Sequence, residues 1–335
     1  MSVQVLINVD DRSDVGEGRR AAAEFARSLD FDATVAGHVA LAVTELTTNI
    51  VKHAGHGKLL LRSLERDSVG GLEVLALDRG PGIAHLGTSL RDGHSTAGGM
   101  GTGLGALSRL SSSLEVFSHT GHGTALRLEF WAQAVPKSPE PLEIGAVCVA
   151  KSGEVVAGDA WSTDGSRGRY RVMVADGLGH GADAARAARL ATEVFGKHAQ
   201  REPAEVLQIG HEALQSTRGA AVAVARIDLG KAHGAFAGVG NISGRVETSD
   251  RRRQLVSHNG TLGHTLRKLQ EFPFEFPAGA VLLMHSDGLS DHWTLADYPG
   301  LMAKHSSLIA GVLYRDHDRG RDDVTIVVIK RGAGA

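Results

Sequence analysis

Residues 132–142, AQAVPKSPEPL, hold three of the chain's eight prolines and show no apolar periodicity. A proline fixes its own φ, lacks a backbone donor and pushes the residue before it to extended geometry. The segment therefore reads as a stiff linker that neither a helix nor a sheet can run through. The chain must close one core before it and another after it. The cut leaves about 130 and about 190 residues, both ordinary domain sizes. With 42% apolar residues over 335 positions there is material for two cores.

Several function classes drop out early. The formal net charge is −2, which gives no reason to expect nucleic acid or an anionic membrane as partner. No apolar run approaches the roughly 18 residues of a membrane span, and MSVQVLINVDDRSD has neither the basic nor the apolar region of an export signal. One cysteine, Cys148, excludes an intramolecular disulfide framework and fits a reducing cytoplasm, the expected location. Glycine stands out at 43 residues, near twice the usual share of about 7%.

Before the linker, SVQVLINV reads as a strand and VGEGRRAAAEFARSLDF as an amphipathic helix. A longer helix is expected over residues 32–53, with Val39, Val43, Leu46 and Ile50 on one face. LEVLALD, LEVFSH and GTALRLEFW follow as strands. After the linker, strands (EIGAVCVA, EVVAGDAW, RYRVMVAD) precede two helices (ADAARAARLATEVFGKHA, PAEVLQIGHEALQST). Strands then return in AAVAVARIDL, HGAFAGVGN, AVLLMHSD and DDVTIVVIK. The fold class is two-domain α/β (α+β), the second domain reading as packed sheets with helices outside.

Three segments of the first part form a set. Glu45 and Asn49, in ELTTNIVKHA, are one helical turn apart and share a face, as any solvated helix surface also allows. Asp78 ends an apolar strand and is followed by Gly80, Pro81 and Gly82. A carboxylate there can accept from an exocyclic amine while glycine lets the backbone approach a flat ring; a tight turn would use the same residues. STAGGMGTGLGAL carries Gly99, Gly101, Gly103 and Gly105 into a helix, a pattern suited to phosphates that a plain flexible loop shares.

In this order the three segments resemble the N, G1 and G2 boxes of the GHKL ATPase superfamily, and Gly123-Thr124 before the last strand matches too. The resemblance covers residues 1–131 and implies a Bergerat-type ATP-binding α/β sandwich. It implies ATP with Mg²⁺ held through Asn49, Glu45 as general base, and Asp78 accepting from the adenine amine. Gly80, Gly82 and Thr124 would line the nucleotide, with the glycine run as phosphate lid. A short ATP domain without a phosphoacceptor hairpin or transducer looks like the anti-sigma-factor serine kinases, most of all the RsbT type. Those phosphorylate STAS-domain proteins and often pair as homodimers, so both are implied here.

In the second part, carboxylates stand at strand ends: Asp159 in AGDAW, Asp176 in VADGLGHG, Asp287 in MHSDGL, and Asp322-Asp323 before VTIVVIK. Each alone fits a turn. Together they point to one spot, and hard oxygen ligands suit Mg²⁺ or Mn²⁺. GDAW, VADGLGHG, RGAAVAVARID, FAGVGNI, SDGL and DDVT, in this order, match the PP2C-like serine/threonine phosphatases of the SpoIIE and RsbX kind. That resemblance spans residues 143–331, with 132–142 as the linker, and implies an αββα sandwich binding two ions. By it, Asp176 bridges the metals and is catalytic, the carbonyl of Gly177 adds a ligand, Asp159 holds one ion, and Asp287 and Asp322 hold the other. Asp323 takes a secondary place and His180 is a minor candidate for proton donor. No arginine near Asp159 answers to the one that larger PP2C enzymes use for the phosphate. Arg251-Arg252-Arg253 reads as a solvated hairpin end and Cys148 as a small hydrophobe.

The sum is a kinase and an opposing phosphatase in one chain, acting on a STAS-domain partner, with a sigma factor or downstream switch protein beyond it. The competing reading makes the first domain an ATP-dependent sequestering module and leaves only the phosphatase catalytic.

Overall fold

A computed structural model describes residues 4–86, 103–135, 141–166, 168–248 and 250–332. The chain divides into two compact units, one from Ser2–Lys137 with Ala303–Arg315, the other from Ser138–Met302 with Asp316–Ala335. The continuous second domain expected at 143–331 is thus interrupted by a segment that packs with the first unit.

The first unit is a sheet of β1 (Gln4–Val9), β2 (Gly57–Arg66), β3 (Val69–Asp78), β4 (Ser113–Ser118) and β5 (Thr124–Trp131), in the order β1-β2-β3-β5-β4. All its pairs are antiparallel. Helices α1 (Arg12–Ser28) and α2 (Ala33–Asn49) bury their apolar stripes on one face of it. Asp11 caps α1 by accepting from Ser13 N at 2.6 Å, and Asp32 caps α2 by accepting from Val35 N at 2.8 Å. Each cap satisfies a donor that the first helical turn leaves open. Regular helix stops at Asn49, and the rest of the expected 32–53 span is a π-helical turn, Ile50–Ala54. A short helix, α3 (Leu104–Leu110), precedes β4.

Alternation along β3 sorts the two faces. Leu72, Val74 and Ala76 join Val39, Val43 and Leu46 in the helix-side core. Glu73 points the other way, into a buried network with Arg62 at 2.6 Å and Arg127 at 3.1 Å, and Arg127 also pairs with Glu129. Burial raises the Glu73 carboxyl, but the two guanidinium groups outweigh it and hold it down at about 2. The segment Ala303–Arg315 lies over this face. Arg62 Nη2 donates to Ser307 Oγ at 3.2 Å, Lys58 Nζ donates to the Tyr314 hydroxyl at 2.8 Å, and Arg315 Nη1 donates to the Asp78 carbonyl at 3.0 Å.

The second unit stacks two sheets. One contains β7 (Asp159–Ser166), β8 (Arg169–Gly177), β9 (Ala220–Asp228), β10 (His233–Val239) and β15 (Phe272–Glu275), ordered β15-β10-β9-β8-β7. The other contains β6 (Leu142–Val149), β11 (Ser243–Glu247), β12 (Arg252–Leu255), β16 (Val281–His285) and β17 (Val324–Arg331), ordered β12-β11-β16-β17-β6. A small hairpin joins β13 (Gly260–Thr261) to β14 (Thr265–Leu266). Val172, Val174, Phe236, Phe274, Leu282 and Val327 fill the space between the sheets. Helices α4 (Ala182–His198) and α5 (Pro203–Ala213) cover the outer side of the first of them through Ala187, Ala191, Phe195 and Leu207. Helix α6 (Ser306–His317) is the element that carries the interrupting segment. Arg252 faces Glu247 at 3.8 Å across the β11–β12 hairpin, an ordinary setting for the triple-arginine run. Cys148 sits in β6, its thiol pushed up to about 12 by burial and by the Asp159 charge. Among the described residues no helix is long and apolar enough to cross a membrane.

Candidate functional site

Each unit gathers a set of the residues singled out by sequence. In the first, Asn49 Nδ2 donates to Glu45 Oε1 at 3.0 Å, one turn up α2. The π-helical turn then carries the chain to the loop after β3, where Gly80 approaches Ala54 so closely that a Cβ would stand 2.8 Å from Ala54 Cβ. Asp78 ends β3, and its Oδ1 accepts from Gly80 N at 2.8 Å and Thr124 N at 3.2 Å. Burial raises the Asp78 carboxyl, opposed by these two N–H groups and by the Arg315 charge.

Glycine is required twice around Asp78. Gly82 has φ +74° and a Cβ there would lie 2.1 Å from the His119 carbonyl oxygen. Gly123 has φ +77° and a Cβ would lie 2.1 Å from the Asp78 carbonyl oxygen. The loop after β3 and the turn before β5 thus touch backbone to backbone, which only glycine allows. Thr124 is buried, with its hydroxyl 3.0 Å from Ser118 Oγ. Gly103 caps α3 and Gly105 is buried in its first turn. Gly99 and Gly101 lie outside the described residues.

In the second unit, register builds the site. Antiparallel pairing of β7 with β8 sets Asp159 directly opposite Asp176. Gly177 N donates to Gly158 O at 3.1 Å and stitches the two strand ends together. In the other sheet Asp287 follows β16 and Asp322-Asp323 precede β17, its antiparallel neighbour, so both reach the same end. Ser286 ties the sheets: its Oγ donates to Asp159 Oδ2 at 2.6 Å and accepts from Thr325 N at 2.9 Å. Asn241 Nδ2 donates to Asp287 Oδ2 at 2.7 Å. Asp323 is buried, accepting from Lys151 N at 2.8 Å through Oδ1. Asp322 is exposed and accepts from Asp323 N at 2.9 Å.

Electrostatics shows the convergence. Burial, then the charges of Asp159, Asp287, Asp322 and Asp323, push Asp176 up to about 9. Burial and the charges of Asp323 and Asp322 raise Asp159 to about 7, against the bond from Ser286. Among the described residues no three His, Cys, Asp or Glu side chains are already drawn together at ligating spacing. The donor set nonetheless fits hard divalent cations: its side chains are all carboxylates that repel one another, and Asp323 Oδ2 is buried with no hydrogen-bond partner. The carbonyl of Gly177 stands at the same strand end, where a Cβ would lie 2.1 Å from the Ala184 carbonyl oxygen.

Three residues escaped sequence reasoning as separate contributors. Ser286 and Asn241 lie inside the SDGL and GVGNI strings, and their roles as partners of Asp159 and Asp287 needed the fold. Arg218 carried no local signal. Its Nη2 lies 2.9 Å from Asp183 Oδ2, and its Nη1 is 3.3 Å from where a Cβ of Gly179 would be. A guanidinium therefore does border the Asp176 loop, from the turn before β9. His180 Nδ1 lies 2.6 Å from Glu154 Oε1, at the rim.

Comparison with known proteins matches both units. Residues 9–130 fit the histidine kinase-like ATPase domain model, and residues 166–332 fit that of stage II sporulation protein E (SpoIIE). The serine/threonine-protein kinase RsbT of Bacillus subtilis (strain 168) is 30% identical over 131 residues, 39% of this chain and 98% of RsbT. Among solved structures, a chain described with the bacterial stressosome as a modular system adapted to control secondary messenger signaling is 29% identical. It is matched over 57% of this chain and 100% of its own length, with a TM-score of 0.53. RsbX in complex with magnesium has the same fold over 58% of this chain and 97% of its own, at 19% identity and a TM-score of 0.53.

Proposed function

Because the chain belongs to the RsbT-like family of histidine kinase-like ATPase domains and carries a SpoIIE, PP2C-type phosphatase domain behind it, we propose that it is a two-way phosphorylation switch. Its first unit transfers phosphate from ATP to Ser or Thr of a STAS-domain protein, and its second removes it. The observation that carries the reading is the placing of Asp159 opposite Asp176 with Asp287 and Asp323 brought to the same end of the paired sheets.

In the first unit Asp78 is preset to accept from an amine, because two backbone N–H groups fix the orientation of its carboxylate. Glu45 takes the proton of the attacking hydroxyl. Asn49, whose amide donates to Glu45, would hold a magnesium ion through its side-chain oxygen. Catalysis of this kind is mostly positioning and charge neutralisation.

In the second unit Asp176 would serve both ions and the Gly177 carbonyl would add a ligand, with Asp159 on one ion and Asp287 and Asp322 on the other; buried Asp323 would stand beside them. Two Mg²⁺ or Mn²⁺ ions held there would supply an activated water and charge neutralisation at the phosphoryl group. Ser286 and Asn241 orient Asp159 and Asp287. Arg218 is the cation that meets the phosphate before it enters the carboxylate ring. Joining both activities raises the effective concentration of each at one docked partner.

The test uses Asp176→Asn protein, which cannot erase its own product, with Mg-ATP and a STAS-domain protein encoded beside it. Intact mass is expected to show phosphate on the partner, removed when wild-type protein and Mn²⁺ are added. ATP binding without transfer, in the presence of a partner that binds, would leave the first unit as a sequestering module.

A further inference from the structure

Five large apolar side chains stand out as exposed among the described residues, and three of them lie on the loops that hold the phosphatase aspartates. Val155 is 96% exposed, Val156 is 40% exposed and Leu178 is 56% exposed. Val155 and Val156 belong to the loop that ends in Asp159, and Leu178 comes two residues after Asp176. Isolated exposed hydrophobes are unremarkable, but a group at one place marks a contact surface.

The two loops are held side by side. His180 Nδ1 is 2.6 Å from Glu154 Oε1, the residue before Val155, and a Cβ on Gly181 would stand 3.0 Å from Glu154 Oε2. Lys151 N bonds Asp323, and Gly158 is so close that a Cβ would lie 2.7 Å from Asp323 Oδ2. Leu178 N donates to Gly219 O at 3.0 Å, which places Arg218 on the far side of the same loop. The exposed apolar side chains, the guanidinium and the carboxylates therefore all belong to these two adjacent loops and the turn beside them.

From this adjacency we infer that Val155, Val156 and Leu178 form a docking rim for the phosphoprotein itself, receiving an apolar side chain beside the phosphorylated Ser or Thr. The inference rests on the phosphatase reading of the carboxylate site and adds a substrate preference to it. The occupant is a phosphopeptide segment with a large aliphatic neighbour to the phosphorylated residue. A small phosphate monoester reaches the carboxylates without touching the rim. A charge placed on the rim leaves a peptide's aliphatic neighbour without an apolar seat.

The experiment compares three probes: p-nitrophenyl phosphate, a phosphothreonine peptide flanked by Leu, and the same peptide flanked by Ser. Wild-type protein with Mn²⁺ is expected to prefer the Leu-flanked peptide by about tenfold in kcat/KM. Val155→Asp/Leu178→Asp is expected to reduce that preference to less than about twofold while p-nitrophenyl phosphate hydrolysis stays within about twofold of wild type. Val155→Ser, at a fully solvated position, gives the same test without an added charge and with an intermediate loss. Binding of both labelled peptides is also followed by fluorescence anisotropy, which needs no turnover. Absence of p-nitrophenyl phosphate hydrolysis by wild-type protein would defeat the phosphatase reading; a binding preference lost in the variants would still uphold the rim. Equal treatment of the two peptides by wild-type protein, or a preference that survives in the double variant, would overturn the rim.

Discussion

The two sites use aspartate in opposite ways. Asp78 is a single carboxylate whose Oδ1 is occupied by two backbone donors, with the Arg315 charge beside it. Asp176 is raised to about 9 by burial first and then by the charges of four other aspartates. The first is organised by the backbone before any ligand arrives. The second is held under mutual repulsion that bound protons or metal cations relieve. The proposed roles fit this difference: hydrogen bonds alone prepare a carboxylate for a neutral amine, whereas clustered carboxylates carry an electrostatic cost until protons or ions bind.

The largest effect is expected at Asp176. Asp176→Asn should lower Mn²⁺-dependent phosphatase activity by more than about a hundredfold, since even outer partners of metal ligands cost 10–100-fold. The same change should raise the thermal stability of the metal-free second unit at pH 7, because it removes a carboxyl that ionises freely only in the unfolded chain. A pH series sharpens the contrast. Asp159 and Asp176 have folded values raised to about 7 and about 9, so the metal-free folded state binds more protons than the unfolded chain. Its stability should therefore fall as pH rises from about 4 through 9, and Mn²⁺ should reverse the trend by replacing those protons. Melting curves with chelator and with Mn²⁺ at pH 6 and pH 8.5 measure this. A metal-free melting temperature that rises with pH would mean that the carboxylates do not repel as placed.

Next comes the charge network on the first unit's sheet. Glu73 is buried between Arg62 and Arg127, so Glu73→Gln leaves two guanidinium groups short of their shared counter-charge. Breaking a buried pair in this way costs about 3–5 kcal/mol, measurable by urea denaturation at pH 7. The folded value of about 2 lies below the ordinary 4.5. The stabilisation is therefore complete above about pH 4.5 and fades as pH falls toward 2, where the difference between wild type and variant should shrink.

A smaller effect is expected for the nucleotide. Asp78→Asn keeps the shape but turns an acceptor-only carboxylate into an amide that can present an N–H to the adenine amine. ATP affinity should drop by about tenfold to a hundredfold, the worth of a hydrogen bond to a charged group, as read by calorimetry. Hydrolysis of p-nitrophenyl phosphate should not change. Unchanged ATP affinity would remove Asp78 from the site.

What could be read from sequence follows from how each element is buried. Helix α2 shows a clear stripe because only one face meets the sheet, and Val39, Val43 and Leu46 announce it. Helix α6 was not legible: every residue from Ser306 to Arg315 is buried, so no polar face remains to mark a helical period. For the aspartate pair before β17, the motif resemblance ranks Asp322 ahead of Asp323. The structure gives Asp323 the buried position and Asp322 the exposed one. On an extended chain a single-residue step reverses the direction of the side chain, and no local composition reports which way it falls. The strand-end aspartates themselves were visible because long apolar runs lead into each of them. Arg218 was not, since its approach to Gly179 depends on the pairing of β8 with β9.

The subtlest expected effect belongs to Asn241, and it separates orientation from ligation. Its amide donates to Oδ2 of Asp287, a proposed ion ligand, at 2.7 Å. Asn241→Ala removes no carboxylate and no charge, so the repulsion that raises Asp176 is untouched. What is lost is the fixed rotation of Asp287, and with it about tenfold in Mn²⁺ affinity, as for other outer partners of metal ligands. Activity titrated against Mn²⁺ should shift to higher concentration yet recover its maximal rate at saturation. Asp287→Asn should instead lower the maximal rate at every concentration. If the two variants behave alike, Asn241 touches the substrate as well as Asp287, and the cluster is less a bare ring of carboxylates than its contrast with Asp78 implies.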